Sequence, residues 1–330
     1  MAKDPPRPSS EAIAPLRIVF MGTPRLAAHI LSRLIEASGS DFVIAGVVTR
    51  PDQPRNRGLR VEPSETALIA ARHGIPTLKP LKIRTPEFLA ELKALDPDLL
   101  AIAAYGRILP NSILEAPRIM PLNVHASLLP RHRGAAPIEG ALLAGDRESG
   151  VTIMRVTEKM DAGPILLQRS LALAPDETQG SLKEKLAELG ASALIDALLA
   201  LRRGELTETP QDESRATYTS PITKEQAVID WNADADAIER MIRAYDPWPI
   251  ARTTFGGQEL LLWRARVANE ATGSEDTPAG ALMSLKPEPI VKCGRGTLVL
   301  TEVQAPGRRR MTAAEFLRGR RAALGQRLGG

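Results

Sequence analysis

The sequence predicts an α/β fold: a Rossmann-like, mostly parallel sheet with helices on both faces, followed by a small C-terminal OB-like β-barrel. In the first part of the chain, short apolar runs alternate with longer amphipathic segments, which is typical of parallel strands joined by helices. Beyond about residue 224 the pattern changes to one helix and then short strands separated by turns rich in Gly, Pro and Asp. Short antiparallel strands of this kind favour a small barrel of the oligonucleotide-binding (OB) type.

Changes in composition set the predicted boundaries. Residues 1–15 are rich in Pro and Ser and predict a disordered tail. The alternating pattern occupies residues 16–204. Residues 205–223 hold few apolar side chains, so they predict a linker. Residues 224–330 form the predicted second domain.

The first domain is predicted to alternate strands and helices along its whole length. Thr85 and Pro86 supply a cap and a first-turn proline for one helix. Ser181 and Glu184 predict a capping box for the last helix, which Gly204 ends. The predicted strands are residues 16–21, 42–48, 75–78, 98–104, 118–125, 151–156 and 165–173, and the predicted helices end near 36 or span about 64–72, 85–95, 136–143 and 181–204.

The second domain is predicted to hold two helices and a group of strands. A helix over about 234–245 comes first, and Thr312 and Glu315 predict the capped start of the last helix. The predicted strands are residues 251–255, 259–267, 280–285, 289–292 and 297–304.

Composition excludes several classes of protein. The chain has 330 residues and is mildly basic, with 43 Lys and Arg against 39 Asp and Glu, so a nucleic-acid interface must be local. Cys293 is the single cysteine, which excludes an internal disulfide and a multi-cysteine metal site, and four scattered histidines make a zinc site unexpected. No apolar run is long enough to span a membrane, and no signal peptide is recognisable. We therefore expect a cytoplasmic protein that holds no metal.

The stretch 121–163 carries the chemistry. Asn123 and His125 lie two residues apart at the end of a predicted strand, so their side chains share one face near its carboxyl end, where open α/β sheets bind ligands. Such residues suit acyl transfer to an amine, because an amide can stabilise a developing oxyanion and an imidazole can move a proton. Asp161 is the candidate carboxylate that orients the imidazole and favours its charged form.

Four segments of this stretch resemble the formyltransferases that use 10-formyltetrahydrofolate. They are Asn-x-His-x-Ser-Leu-Leu-Pro from residue 123, Arg-x-Arg-Gly-Ala-Ala-Pro from 131, Gly-Val-Thr-Ile-Met from 150 and Met-Asp-Ala-Gly-Pro-Ile-Leu from 160. The resemblance implies catalytic roles for Asn123, His125 and Asp161. It also implies a folate-binding segment formed by Ser127, Leu128, Leu129 and Pro130. For the loop that contains Tyr105 two interpretations stay open: by resemblance it forms a wall of the pterin pocket, and otherwise Tyr105 is a packing residue near the sheet edge.

The segment 50–60 predicts a contact with nucleic acid. It carries four arginines and one acidic residue after a strand that ends at the same edge as His125. The family's tRNA-specific members have a basic insertion here that enters the acceptor stem, so the resemblance implies tRNA contacts for Arg55, Arg57 and Arg60. Short motifs at 229–231 and 242–249 also resemble those members. The implied reaction moves the formyl group of 10-formyltetrahydrofolate to the amino group of methionine on initiator tRNA, the step that prepares translation initiation, and we expect the enzyme to be a monomer.

Other functions remain open from the sequence. A sister formyltransferase would act on glycinamide ribonucleotide or on an amino sugar, a hydrolase would pass the formyl group to water, and a non-catalytic RNA-binding protein would only keep the scaffold. The intact set of Asn123, His125 and Asp161 speaks against the last, and the basic segments speak against the first two. A nicotinamide-dependent dehydrogenase is disfavoured because the turn after the first strand, beginning at Gly22, has one glycine of the usual three.

Overall fold

The computed structural model describes residues 14–55, 60–268 and 277–329. Most of the predicted tail and Arg57 of the basic segment lie outside the described residues. The strands of the first region are β1 (Leu16–Gly22), β2 (Phe42–Val48), β3 (Gln53–Arg55), β4 (Arg60–Glu62), β5 (Thr77–Leu78), β6 (Leu99–Ala103), β7 (Met120–His125), β8 (Arg133–Gly134), β9 (Glu148–Arg155) and β10 (Ile165–Ala172). Its helices are α1 (Arg25–Ala37), α2 (Glu65–Arg72), α3 (Pro86–Ala94), α4 (Asn111–Leu114), α5 (Pro137–Ala144) and α6 (Gln179–Arg202).

The main sheet of the first region has the order β10-β9-β7-β6-β1-β2-β5. Neighbouring strands from β7 to β5 run parallel, whereas β9 and β10 are antiparallel additions at one edge. The predicted mostly parallel sheet is therefore confirmed.

Both faces of this sheet are covered, as the alternation along β1 shows. Ile18 and Phe20 belong to a core cluster shared with α1 and α6, whereas Val19 and Met21 belong to a second cluster shared with α3. Because side chains alternate between the faces of a strand, the two clusters lie on opposite sides of the sheet. β1 is consequently apolar at nearly every position, as a strand buried on both faces must be.

The start of α6 differs from the prediction. The capping box joins Thr178 and Ser181, each side chain accepting a hydrogen bond from the other's backbone N–H, so the helix begins three residues earlier than Ser181 with Glu184 would place it. Gly190 lies inside this helix without interrupting it. A Cβ at Gly190 would lie 2.9 Å from a methyl carbon of Val124, so glycine lets the helix approach the sheet closely.

The segment predicted as a linker, residues 205–223, connects the two regions but is not a free spacer. It contains a short 3₁₀ turn (Glu213–Arg215) and β11 (Tyr218–Thr219), which pairs in parallel with β8. The sequence indicates this strand weakly, because a strand of two residues is too short to show an alternating pattern. The segment therefore packs along the first region before the chain enters the second.

The second region contains α7 (Ala235–Ala244), β12 (Ala251–Phe255), β13 (Gln258–Val267), β14 (Leu282–Ser284), β15 (Ile290–Lys292), β16 (Thr297–Gln304), β17 (Met311–Thr312) and α8 (Ala313–Gly319). Its antiparallel sheet has the order β12-β13-β16-β15-β14, with β17 paired to β16. The predicted capping box of the last helix is confirmed, since Thr312 accepts from the N–H of Glu315 and the carboxylate of Glu315 accepts from the N–H of Thr312.

The two regions share contacts at α7. Ala244 and Tyr245 are buried in the core cluster of the first region, although they follow the predicted domain boundary. Arg240 donates to the carbonyl of Leu143 at 3.1 Å, and Arg243 donates to the carbonyl of Glu177 at 3.0 Å. In the ranges that the structure describes, no helix has the length and apolar character needed to cross a membrane.

Candidate active site

The candidate site lies where parallel strands end. β1, β6 and β7 run parallel side by side, so Gly22, Ala103 and His125 reach the same edge of the sheet. Leu122 and Val124 of β7 face the core shared with α1 and α6. By alternation, Asn123 and His125 face the opposite side, so the predicted shared face is confirmed.

His125 is held in one tautomer. Its side chain is 6% exposed, and its Nε2 lies 3.0 Å from the carbonyl oxygen of His132. Because a carbonyl only accepts, Nε2 carries the hydrogen, and the neutral ring leaves Nδ1 free to take a proton. Nδ1 lies 3.8 Å from Oδ2 of Asp161, too far for a direct hydrogen bond but close enough to stabilise a positive ring.

Opposing effects set the charge state of His125, and Asp161 favours the charged form as expected. Burial lowers the pKa of the imidazole below its usual value, and this outweighs the carboxylate of Asp161, which raises the pKa. His132 and Arg133 lower it further by charge repulsion, whereas the hydrogen bond to the carbonyl of His132 raises it. The ring is therefore neutral at neutral pH and ready to act as a base.

Asp161 is fixed from its own backbone and from a neighbouring loop. It has a left-handed conformation with φ of 49°, which asparagine and aspartate adopt more readily than most residues. Its Oδ2 accepts a hydrogen bond of 2.8 Å from the N–H of Gly134. Gly134 itself has φ of 108°, and a Cβ there would lie 2.2 Å from the carbonyl oxygen of Thr219, so only glycine fits this position.

Asn123 is available to a ligand. Its backbone lies in the sheet between Ile102 and Met154. Its side chain is partly buried, and it makes no hydrogen bond to any residue in the described ranges. A half-buried carboxamide without a partner can donate to a substrate oxygen with little movement of the surrounding protein.

The segment of Ser127, Leu128, Leu129 and Pro130 forms a tight loop after β7. The Ser127 hydroxyl donates to the carbonyl of Arg131 at 2.6 Å, and the Thr152 hydroxyl donates to the carbonyl of Ser127 at 2.7 Å while accepting from the N–H of Leu129 at 3.1 Å. Ser127 and Leu129 are buried, whereas Leu128 and Pro130 are partly exposed. Within this segment, Leu128 and Pro130 thus have side-chain surface to offer a ligand, and the Ser127 hydroxyl shapes the loop.

Tyr105 is a buried residue near the same edge. It is 2% exposed, packs with Val19 and Ile102, and its hydroxyl has no hydrogen-bond partner among the described residues. Burial raises the pKa of this hydroxyl, so it stays protonated. Arg107 donates to the carbonyls of Pro80 and Leu81 at 3.1 Å each, which ties two loops together beside the sheet edge.

The basic segment forms a hairpin at this edge. β3 and β4 pair antiparallel, with Arg55 opposite Arg60. The hairpin follows β2, whose carboxyl end lies at the catalytic edge. Arg57 lies outside the described residues.

Three residues around the site make contacts that the sequence does not predict. Arg133, one of the arginines of the motif that begins at residue 131, is fully buried. Gln211 donates to the carbonyl of Asp161 at 2.9 Å and to that of Gly163 at 2.7 Å. Thr217 binds the loop through its hydroxyl, which accepts from the N–H of His132 at 2.8 Å. The only signal is the alternation Thr217, Tyr218, Thr219, which favours a strand.

A second charged feature lies at the end of the chain. From Val303 onward there are seven arginines and one acidic residue. Each of the seven is exposed, and within the described ranges none lies within ion-pair distance of a carboxylate. Arg310 lies over the ring of Trp263 at 3.2 Å from its centroid. We call these residues the C-terminal arginine set, which consists of Arg308, Arg309, Arg310, Arg318, Arg320, Arg321 and Arg327.

A mostly parallel α/β sheet with a neutral histidine, a nearby carboxylate and an amide unpaired among the described residues at its carboxyl edge suits acid–base chemistry such as group transfer. The formyl transferase family profile matches residues 16–198, and that of the formyl transferase C-terminal domain matches residues 221–321. The chain therefore belongs to the formyl transferase family, and the resemblance seen in the motif is confirmed. The protein is an enzyme of formyl transfer.

Two relatives cover nearly the whole chain. The methionyl-tRNA formyltransferase of Methylococcus capsulatus is 46% identical over 314 residues, which are 95% of this chain and 100% of the relative. The methionyl-tRNA formyltransferase of a Roseiflexus species is 45% identical over 315 residues, 96% of each chain. Identity at this level over both regions extends the likeness well beyond the motif.

Solved structures support the fold. HypX from Aquifex aeolicus in complex with tetrahydrofolic acid superposes with a TM-score of 0.57 at 20% identity, covering 92% of this chain and 47% of HypX. The chain thus spans about half the length of that protein. At this identity the likeness concerns the fold alone.

Proposed function

We propose that this enzyme transfers the formyl group of 10-formyltetrahydrofolate to the amino group of methionyl initiator tRNA, giving the N-formylmethionyl-tRNA used in translation initiation. The observation that carries the proposal is the meeting of His125 and Asp161 at the carboxyl edge, in a chain 46% identical to a methionyl-tRNA formyltransferase. Curated relatives with this name cover both regions of the chain, which favours a tRNA substrate over a small acceptor.

The proposed roles follow from the geometry. The methionyl nitrogen attacks the formyl carbon, a new carbon–nitrogen bond forms, and the bond between that carbon and N10 of the folate breaks. Nδ1 of His125 takes the proton that the attacking nitrogen loses, and the same proton is delivered to N10 as it leaves. Asp161 stabilises the imidazolium in between, and the amide of Asn123 donates to the formyl oxygen as negative charge develops there.

The folate is the formyl donor, and the catalytic edge carries exposed apolar side chains that can contact its ring. Leu128 and Pro130 retain exposed surface, while the loop that holds Ile108 leaves that apolar side chain 67% exposed. Apolar walls with a few polar groups are typical of small-molecule sites. The roles of Ser127, Leu128, Leu129 and Pro130 in binding folate are part of the proposal, with Ser127 and Leu129 acting through the shape of the loop.

The tRNA contacts are proposed for two basic surfaces. The strands that contain Arg55 and Arg60 pair in a hairpin after β2, beside the catalytic edge, where the end of an acceptor stem must lie to bring its amino acid to His125. The proposal includes Arg57, which lies between these two strands in the sequence. The C-terminal arginine set provides exposed guanidinium groups without carboxylate partners in the described ranges. Phosphate contacts of this kind supply affinity without reading sequence.

An OB-like barrel remains part of the proposal for the second region. Residues near the C-terminus bridge the two outer strands of the sheet: Leu328 pairs with Phe255 of β12, and Arg327 pairs with Ala281 beside β14. Backbone hydrogen bonds of 2.9 Å from Gly329 to Thr254 and from Leu282 to Gln326 support this bridging. A sheet whose outer strands are joined in this way is consistent with closure into a barrel.

A cytoplasmic location and a monomeric state complete the proposal, and gel filtration of the purified protein tests the monomeric state.

A formylation assay tests the proposed function. The protein is incubated with 10-formyltetrahydrofolate and charged initiator tRNA, and the expected product is one formylmethionine for each tetrahydrofolate formed. His125→Ala serves as the inactive control, and parallel incubations replace the tRNA with glycinamide ribonucleotide, with a nucleotide-linked amino sugar or with buffer. Faster transfer to a small acceptor, or release of formate without formylmethionine, would contradict the proposal.

A further inference from the structure

We infer that Gln211, in the segment between the two regions, is a positioning residue that holds the backbone of Asp161 in place beside His125. The inference deepens the proposed function, since it concerns the same site. It assigns a role in the active site to a segment that the sequence predicts to be only a linker.

The contacts of Gln211 determine the orientation of its amide. Nε2 donates to the carbonyl oxygens of Asp161 at 2.9 Å and Gly163 at 2.7 Å. Oε1 accepts from Nε and Nη2 of Arg133 at 3.1 and 2.8 Å. Carbonyls only accept and a guanidinium only donates, so the reverse orientation of the amide would lose all four bonds.

Arg133 anchors the other end of this bridge. Its guanidinium is fully buried and forms a bidentate pair with Glu213, with distances of 2.8 and 3.1 Å, and it also donates to the hydroxyl of Tyr218 at 3.2 Å. The guanidinium, followed by the ammonium group of Lys159, lowers the pKa of Glu213 to about 2, so the pair is ionised throughout the working pH range. A buried arginine with this many partners is a fixed point from which Gln211 can be positioned.

Both sides of the bridge reach the same residue, Asp161. The next residue after Arg133 is Gly134, whose N–H donates to Oδ2 of Asp161. Gln211 holds the carbonyl of Asp161, and Gly134 holds its side chain. Asp161 has a left-handed backbone, a conformation that persists only where the surroundings determine it. Without Gln211, the turn at Asp161 to Gly163 loses two of the hydrogen bonds that determine it.

The rest of the segment is fixed along the same loops. Ile165 and Thr209 exchange two backbone hydrogen bonds of 2.8 Å, just after the turn of Asp161. Farther along, Thr217 accepts from the N–H of Arg133 at 2.8 Å through its carbonyl. The segment therefore spans from the Asp161 turn to the loop after β7, and the side chain of Gln211 bonds the backbone of that turn and Arg133 together.

The test measures the charge state of His125 in the full-length protein without any substrate. Burial lowers the pKa of His125, whereas Asp161 and the hydrogen bond to the carbonyl of His132 raise it, and the charges of His132 and Arg133 lower it further. Displacing Asp161 must therefore lower the pKa of His125. Histidine-labelled protein is titrated by NMR, with the signal assigned by a His125→Gln variant, and Asp161→Asn shows the shift expected when the charge is removed.

Gln211→Met has nearly the same length and makes no hydrogen bonds of this kind. We expect it to move the His125 titration in the same direction as Asp161→Asn, and to reduce kcat by about 10- to 100-fold, because a misplacement of about 1 Å can reduce rates that far. KM for the folate and for the tRNA should stay within about twofold. Gln211→Glu keeps an acceptor for Arg133 and loses both donors, so it should also reduce kcat while the protein stays folded.

Ser214→Ala is the matched control. Ser214 lies three residues away in the same segment, is exposed, and among the described residues its hydroxyl bonds Asp212 alone, so both the titration and kcat should be those of the wild type. A wild-type His125 titration in Gln211→Met would overturn the inference whatever happens to kcat, since activity can also fall through general loosening. Because the titration needs no substrate, this result is independent of whether the wild-type enzyme formylates tRNA.

Discussion

The catalytic edge and the C-terminal arginine set use charge in opposite ways. At the catalytic edge, Arg133 is buried and its guanidinium is bound to Gln211, Glu213 and Tyr218. In the C-terminal arginine set, each guanidinium is exposed and none has a carboxylate partner within the described ranges. The same side chain thus fixes a loop in one place and offers a positive surface in the other.

This difference separates chemistry from binding. Charges that are paired and buried are screened little by salt, so they keep an active site in one geometry. Exposed arginines without carboxylate partners are strongly screened by salt, which suits the release of counterions from a polyanion. We therefore expect substitutions at the catalytic edge to change kcat and substitutions in the arginine set to change tRNA affinity.

The largest effect is expected for His125→Ala. Loss of the group that moves the proton should reduce kcat by about 10²- to 10⁴-fold. The dissociation constant for tRNA should remain within about twofold, since His125 is buried and the affinity is expected to come from arginine contacts with phosphates. Single-turnover kinetics and filter binding measure the two quantities. Near-normal turnover in a folded His125→Ala protein would remove His125 from the mechanism.

A slightly smaller effect is expected for Asn123→Ala. One donor to a developing oxyanion typically contributes about 10²- to 10³-fold to kcat. KM should change little, because the donor acts mainly in the transition state. A variant that raises KM for the folate without lowering kcat would instead make Asn123 a binding residue.

A moderate effect on tRNA use alone is expected for Arg57→Ala, because Arg57 belongs to the basic segment 50–60, whose arginines suit phosphates of the acceptor stem. kcat/KM for charged tRNA should fall while KM for the folate is unchanged. Steady-state kinetics with each substrate varied in turn make the measurement. If kcat/KM for charged tRNA is unaffected, the hairpin is an ordinary solvated loop.

The smallest effect is expected in the C-terminal arginine set. Arg308→Ala with Arg309→Ala should weaken tRNA binding and reduce the slope of log K against log salt by roughly 0.7 to 0.9 for each phosphate that the protein no longer neutralises. Arg33→Ala is the matched control, because Arg33 is an exposed arginine paired with Glu36 and Glu188. Equal loss of affinity in the control and the double variant would show that pairing does not distinguish the two kinds of arginine.

The sequence predicts the parts of the fold that depend on local periodicity. The strand 118–125, the shared face of Asn123 and His125, and the capped helix after Thr312 all follow from spacing within a few residues. The predicted start of α6 is wrong because Thr178 with Ser181 satisfies the same cap three residues earlier. Local patterns can compete, and only the packed structure decides between them.

The support for Asp161 could not be predicted, because it depends on contacts across the chain. Gln211 lies 50 residues from Asp161 and 78 from Arg133, in a polar segment without periodicity. The same limit applies to the charge state of His125, since burial by distant elements outweighs the nearby carboxylate. For the same reason a chain cut near Glu208, which keeps every predicted catalytic residue, would lose the bridge that holds Asp161.

The salt dependence of the reaction tests most directly whether chemistry and tRNA binding are divided in this way. Initial rates of formylmethionine formation are measured from about 50 to 200 mM salt, with the folate saturating and the charged tRNA varied. We predict that kcat/KM for tRNA falls by more than about tenfold, as expected when several phosphate contacts are screened, while kcat stays within about twofold. A kcat that falls in parallel with kcat/KM, or a kcat/KM that does not respond to salt, would contradict the account.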